Sequence, residues 1–299
     1  MKILYFTNTF SHYRLPIWKK LLALNNHEIF FHFSFESFKG IISANLESKF
    51  FINIKNVKLF GRIFWQRGVL NKVLFNNYDT LLLLGEMTIL SNWLASIIAR
   101  IKNKKVIFWG HGIYGNEKGL KRILRLIFLK LSNYHFLYGN HAKKLLINEG
   151  FKSENLLVIY NSLDVEIQNQ YYLEEKVDIK FNFLKTDKYI LFTGRLTKIK
   201  DLDLLFESLE IINKKKNLLS FVIVGEGNEK AWLQRKYSHL IKRGLVHFEG
   251  DIYDESKLSE YFKNAYLFVS PGNIGLACMH SLIYGTPVCT HGNMNYQMP

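Results

Sequence analysis

Two short segments carry residues whose types and spacing suit a negatively charged ligand. The first is FTGRLTKIKDLDLL, residues 192–205. An apolar run ends in Gly194, which permits a tight turn. Arg195 and Lys200 then stand on either side of the junction between that loop and the next predicted helix. Two cations beside a helix N-terminus, where backbone N–H groups lack partners, suit a diphosphate. The second segment is VSPGNIGLACMHSLIYGTPV, residues 269–288. A strand, then Pro-Gly-Asn-Ile-Gly, then a helix is a layout that cradles phosphate. Gly272 and Gly275 let the backbone approach a ligand, and free N–H groups at the helix start face it. His280 falls about one helical turn further on, within reach of the same ligand. Taken alone, a loop arginine, a loop lysine or a helical histidine is more often an ordinary surface or core residue, so the two segments must act together.

Other motifs narrow the chemistry. Asp201 and Asp203 have the D-x-D spacing of a divalent-metal site, but they open a predicted helix, where carboxylates cap N–H groups and complement the helix dipole. No metal is expected. A P-loop is absent, and GEGNEK at 225–230 lacks the third glycine of a dinucleotide fingerprint. In WGHGIYGNE, residues 109–117, His111 follows a strand end, and Gly112 beside it leaves room for a ligand; a sugar contact and a structural role fit this segment equally.

The 299 residues suggest about two domains. A formal net charge of +15 admits nucleic acid, an anionic membrane surface or a polyanionic small substrate. Without a zinc finger, RNP signature or basic tail, nucleic acid is not expected. The denser basic clusters are Lys102–Lys105, Lys121–Arg125 and Lys214–Lys216. Cys278 and Cys289 form neither a disulfide framework nor a zinc spacing, which points to a reducing, cytoplasmic compartment. MKILYFTNTF reads as a buried strand rather than a signal peptide, and Thr88–Ala99 is too short to span a bilayer.

Apolar runs alternate with helical patterns in a way that predicts two doubly wound parallel α/β domains. Strands are expected at Ile3–Thr7, His27–Phe33, Thr80–Leu84, Lys105–Trp109, His135–Tyr138 and Leu157–Tyr160, with helices at Pro16–Leu24 and Ile89–Ile101. Gly119–Leu131 is amphipathic: Leu120, Ile123, Leu124, Ile127 and Leu131 share one side, expected against the core, with a membrane-surface helix as the alternative. The polar stretch Glu166–Thr186 reads as the domain junction, giving domains 1–165 and 166–299. Strands then return at Tyr189–Thr193, Ser220–Gly225, Val246–Glu249, Tyr266–Ser270 and Thr286–Thr290, with helices at Asp201–Ile212, Glu229–Lys242, Glu255–Lys263 and Leu276–Tyr284. Two such domains facing each other leave a cleft at the carboxyl ends of their strands.

G-R-L-x-x-x-K at 194–200, V-G-E-G at 224–227, the strand end at 267–270 and G-L-x-x-x-H-S-L-x-Y-G-T-P-V at 275–288 resemble the retaining, GT-B-fold glycosyltransferases of family 4. Y-R-L-P at 13–16, W-x-H-G at 109–112 and I-Y-N-S-L-D at 159–164 are similar to one bacterial surface-polysaccharide branch. The resemblance implies a UDP- or GDP-sugar donor, no metal and no other cofactor. A glycan or lipid-linked oligosaccharide is the implied acceptor, at the cytoplasmic face of an anionic membrane. It implies that Arg195 and Lys200 neutralise the donor diphosphate, that Gly272, Asn273, Ile274, Gly275 and Leu276 meet its phosphate and sugar, and that His111 orients the sugar. Tyr13 and Arg14 fall on the acceptor side. Two departures stand out. Gly272 and His280 occupy the places of a Glu-x7-Glu pair, so a ribose contact would fall to His280. The chain also stops at Gln297-Met298-Pro299, where relatives continue, so a C-terminally incomplete second domain is expected. The alternatives are a truncated nucleotide-sugar-binding protein without activity and a GT-B sugar epimerase using Glu86 or Glu117.

Overall fold

The computed structural model describes residues 1–36, 43, 49–161, 163–175, 181, 184, 188–214, 219–293 and 297. Lys215 and Lys216 of one basic cluster, most of the expected junction after residue 175, and Met298 and Pro299 lie outside the described residues. The chain divides into two units, residues 1–161 and 162–298.

In chain order the first unit comprises β1 (Lys2–Thr9), α1 (Leu15–Leu22), β2 (Glu28–Ser34), β3 (Phe51–Asn53), β4 (Asn56–Phe60), β5 (Ile63–Gln66) and α2 (Val69–Phe75). It continues through β6 (Thr80–Leu84), α3 (Leu90–Ile101), β7 (Lys105–Gly110), α4 (Gly119–Leu129), β8 (Tyr134–Leu137), α5 (Asn140–Asn148) and β9 (Leu156–Val158). A seven-stranded sheet runs β3-β2-β1-β6-β7-β8-β9, every pairing parallel, while β4 and β5 form a separate antiparallel ribbon. Strand residues alternate between two cores. Leu4, Phe6, Leu81, Leu83, Val106 and Phe108 pack with residues of α2, α3, α4 and α5, whereas Tyr5, Phe31, Leu82 and Trp109 pack with Trp18 of α1. Burial on both faces is why these strands read as unbroken apolar runs.

The second unit comprises α6 (Val165–Leu173), β10 (Tyr189–Thr193), α7 (Leu202–Lys214), β11 (Ser220–Val224), α8 (Lys230–Lys236) and α9 (Ser238–Lys242). After these come β12 (Val246–Gly250), α10 (Glu255–Asn264), β13 (Leu267–Ser270), α11 (Ala277–Ile283) and β14 (Val288–Thr290). Its five strands are parallel in the order β12-β11-β10-β13-β14. That order reverses between β10 and β13, and in open α/β sheets the loops leaving such a switch point part to form a ligand site. Those loops lie within the two phosphate-suited segments, 192–205 and 269–288. In the first unit the order reverses between β1 and β6, and Tyr13 and Arg14 follow β1.

Among the helices that differ from expectation, two matter here. The segment expected to be an irregular junction holds α6, whose N-cap Asp164 accepts a hydrogen bond from the Ile167 N–H. In α4 the helical period holds but the side does not. Leu120, Ile123, Leu124 and Ile127 are exposed, and Phe128, Leu129 and Arg125 are buried instead. Arg125 is accommodated because its Nε lies 2.7 Å from the buried Glu117 carboxylate.

Candidate functional site

The loop after β10 is threaded between two neighbouring turns. Gly194 adopts φ 138° and donates to the Val224 carbonyl at 2.9 Å, while Leu196 donates to Glu226 O at 2.8 Å. The turn bearing Gly225 and Gly227 lies directly against this loop: a Cβ at Gly225 would sit 2.1 Å from Gly194 O, and one at Gly227 2.2 Å from Leu196 O. These glycines serve chain-to-chain packing, which explains their presence without a dinucleotide fingerprint.

The loop after β13 meets the same segment from the other side. Gly272 N donates to Lys200 O at 3.0 Å and Asn273 N to Ile199 O at 3.1 Å. The Lys200 side chain folds beneath the glycine turn, where its ammonium donates to the carbonyls of Asn273 and, at 3.5 Å, Ile274. Holding the Asn273 carbonyl down turns the N–H of the same peptide, that of Ile274, the opposite way. On that side Ile274 N donates to the Gln297 carboxamide oxygen at 3.0 Å, and Gln297 Nε2 donates to Gly272 O at 3.3 Å. A ligand oxygen taking this N–H must displace Gln297. Burial, aided by the nearby Arg195 charge, pushes the Lys200 pKa down to about 8. Arg195 itself is exposed. Gly275 adopts φ 64°, whereas Gly272 is required for space rather than for φ: a Cβ there would lie 2.2 Å from Ile199 O.

His280, on α11, is held by groups that sequence reading missed. Its Nδ1 is 3.2 Å from Glu255 Oε1 and 3.1 Å from Gln168 Nε2, and its ring stacks on Phe262. Gln168 Nε2 donates to Glu255 at 3.0 Å and the Tyr284 hydroxyl donates to it at 2.6 Å. With Nδ1–H directed to the carboxylate, Nε2 remains as the ring's second hydrogen-bonding atom. Burial alone would raise the Glu255 pKa, but hydrogen bonds and charge from His280, Tyr284 and Gln168 outweigh it and hold the carboxyl below its ordinary value. Glu255 therefore contributes stability that is present above the unfolded pKa and lost as pH falls through the lower folded value. Glu255→Gln is expected to cost about 1–2 kcal/mol at pH 7 and to flatten the acid side of the stability profile. Urea melts between pH 3 and 7 check it; an unchanged acid slope would show that the carboxylate is not held this way.

Asp203, in the first turn of α7, takes hydrogen bonds from Lys236 at 2.7 Å and from Tyr237, which keep its carboxyl acidic despite partial desolvation. A depression here is lined by Thr197, Asp201, Asp203, Glu229 and Trp232, with Lys198 as its one cation among the described residues. Three carboxylates make it a poor seat for a diphosphate.

In the first unit, His111 follows β7 and packs edge-on against Tyr138 at 4.7 Å between ring centroids, and against Tyr114 at 5.6 Å. Gly112 is not open to a ligand: at φ 65°, a Cβ would lie 3.1 Å from Leu146 and 3.2 Å from Leu137. Arg14 is buried rather than surface-facing. It donates to the Tyr138 hydroxyl and lies over the rings of Trp109, Tyr138 and Tyr13 at 5.2, 5.3 and 5.7 Å. Tyr13 is half-buried. Arg14 and His111 thus share Tyr138.

Residues 174–296, which include both phosphate-suited segments, match the family model described as Glycosyl transferases group 1. The chain is similar to a poly(ribitol-phosphate) alpha-N-acetylglucosaminyltransferase of Staphylococcus aureus (strain COL), 28% identical over 159 residues, or 49% of this chain and 31% of that protein. It spans about a third of the length of the curated relatives it matches. Among solved structures it is similar to HepE of Anabaena in complex with UDP, at a TM-score of 0.66 and 15% identity, covering 96% of this chain and 80% of that one. A UDP-GlcNAc 2-epimerase of Methanocaldococcus jannaschii gives a TM-score of 0.60 at 17% identity, covering 97% and 83%. At these identities the likeness carries the fold and nothing about the reaction. The fold is α/β of the GT-B class, with two Rossmann-like parallel sheets. Within it, the group 1 match falls on the second unit.

Proposed function

We propose that this chain is a retaining glycosyltransferase of family 4 that moves a sugar from a UDP- or GDP-sugar to a glycan or lipid-linked oligosaccharide acceptor of bacterial surface polysaccharide, at the cytoplasmic face of the membrane. One observation supports the donor site most: Lys200 and the Gly272–Gly275 turn, 72 residues apart at nearest, are bonded into one structure at the switch point of the second sheet. In this reading the Lys200 and Arg195 charges and the Ile274 N–H receive the diphosphate, Gly275 and Leu276 lie beside the sugar, and His280 takes a ribose hydroxyl through Nε2. His111 orients the sugar. Tyr13 faces the acceptor, and Arg14 acts through Tyr138 as a positioning residue. The leaving phosphate accepts the acceptor's proton, so rate comes from positioning and charge stabilisation, with no metal.

The group 1 match and the transferase relative favour transfer over epimerisation. Glu117, one of two carboxylates an epimerase would need, is instead paired with Arg125 and accepts from Tyr114 N at 2.9 Å. A thermal-shift panel of nucleotide sugars, with and without EDTA, tests the proposal. A UDP- or GDP-sugar is expected to raise the melting temperature irrespective of EDTA, and Arg195→Ala to weaken that ligand about tenfold. A panel in which no nucleoside diphosphate binds would sink it.

A further inference from the structure

The loop between β10 and α7 serves two places. Its Lys200 bonds to carbonyls of the glycine turn, while Thr197, Lys198 and Asp201 line a separate cavity of about 170 Å³ against the start of α8. Buried Leu202 and Leu233 give this cavity an apolar base, and Trp232, 41% exposed, forms part of its wall. Two of its carboxylates have no task in the fold. Asp201 closes the helical turn Lys198–Lys200, and Glu229 opens α8 without capping it. Neither side chain is bonded to another described residue, and the Thr197 hydroxyl caps nothing. Asp203 differs, because Lys236 and Tyr237 already donate to it.

The lining selects one class of ligand. An anion would face the carboxylates of Asp201, Asp203 and Glu229. A cation would meet Lys198, and the place where it would stack is taken: the Lys236 ammonium lies 5.0 Å from the centre of the Trp232 ring. An apolar ligand would strip water from Asp201 and Glu229 and return no hydrogen bond. A neutral sugar ring meets every demand. Its hydroxyls donate to the two carboxylates, Lys198 donates to its oxygens, and its C–H face lies against the indole. The volume admits a single ring, being well below the roughly 300 Å³ at which pockets for drug-sized ligands begin.

We propose that the cavity between the β10–α7 loop and α8 binds one neutral sugar residue of a glycan, held by Asp201 and Glu229 and set against Trp232. The site lies outside the donor seat and needs no nucleotide, so it holds a glycan chain at a point away from the reacting centre.

Saturation-transfer NMR of the whole chain with the methyl glycosides of glucose, galactose and N-acetylglucosamine, each at about 20 mM, tests this. No nucleotide is added, so its failure is separable from failure of the transferase proposal. Transfer is expected from at least one glycoside. Trp232→Ala is expected to weaken binding about tenfold and Glu229→Gln several-fold, with Lys200→Met leaving it unchanged. Asp201 sits at φ 50°, which asparagine also tolerates, so Asp201→Asn keeps the fold and is expected to weaken binding several-fold. Melting temperatures of the variants control for folding. No transfer from any glycoside overturns the proposal, and so does transfer that both carboxylate variants leave unchanged. Transfer lost in Lys200→Met but kept in Trp232→Ala places the sugar at the donor seat and overturns it as well. Displacement of the glycoside by equimolar spermidine reveals a cation site instead, with the same consequence.

Discussion

Lys200→Met is expected to weaken binding of a nucleoside diphosphate by about ten- to a hundredfold, the equivalent of losing charge-assisted bonds of about 1.5–3 kcal/mol. Methionine keeps the length of the stem but supplies neither the charge nor the bonds that hold the Asn273 and Ile274 carbonyls. The pH dependence is more diagnostic than the loss. In the free protein burial, then Arg195, hold Lys200 near 8. A bound diphosphate favours the ammonium and raises that value, so affinity should be flat below about pH 7 and fall by up to tenfold per unit above 8. Stability of the unliganded fold should move oppositely. The unfolded lysine keeps its proton up to its ordinary 10.5, so between about 8 and 10.5 the unfolded state binds more protons and the folded state gains stability. Calorimetric titration of UDP and GDP at pH 7, 8 and 9 on wild type and variant reads the change in affinity, and urea melts over the same range without ligand read the change in stability. A wild-type profile that survives in Lys200→Met would remove Lys200 from the site.

What the sequence revealed depended on whether the determining contacts were local. Thr80–Leu84 and Tyr189–Thr193 have the same bounds in sequence and structure, because a short apolar run buried on both faces admits little else. The helix expected over Glu229–Lys242 is two, broken at Tyr237, whose ring is buried on Phe206 and whose hydroxyl reaches Asp203. α6 lacks an apolar period, and Gln168 is tied instead to Glu255 and His280, partners 87 and 112 residues away that no local pattern encodes. The Asp164 cap was the one local signal. In α4 the period was visible but its side was not, since nothing in an amphipathic stripe says whether the apolar face meets the core or lies exposed. The same limit applies at the phosphate-suited loops. Spacing brought Arg195 and Lys200 to one loop, but did not show that the Lys200 ammonium faces carbonyls of the opposite turn, nor that Gln297 meets the Ile274 N–H.

Gly272→Ala is expected to be strongly destabilising. The added Cβ would lie 2.2 Å from Ile199 O, 2.7 Å from Lys200 C and 2.9 Å from Lys200 Cα. All three are backbone atoms, so no side chain can rotate away, and relief requires the two loops to part. Parting breaks the Gly272–Lys200 and Asn273–Ile199 hydrogen bonds and withdraws the turn from the Lys200 ammonium. Overpacking of this kind, with the lost bonds, should cost about 3 kcal/mol, or roughly 10 °C in melting temperature for a unit of this size, and abolish diphosphate binding. Gly275→Ala separates strain from space. That residue sits at φ 64°, with nothing nearer an added methyl than Asn273 Oδ1 at 3.8 Å, so it should lose only about 1 kcal/mol. Melting curves and UDP titrations of the two variants decide between them. If alanine at 272 were as mild as at 275, the loops after β10 and β13 would not be packed backbone to backbone, and the shared diphosphate seat would go with them.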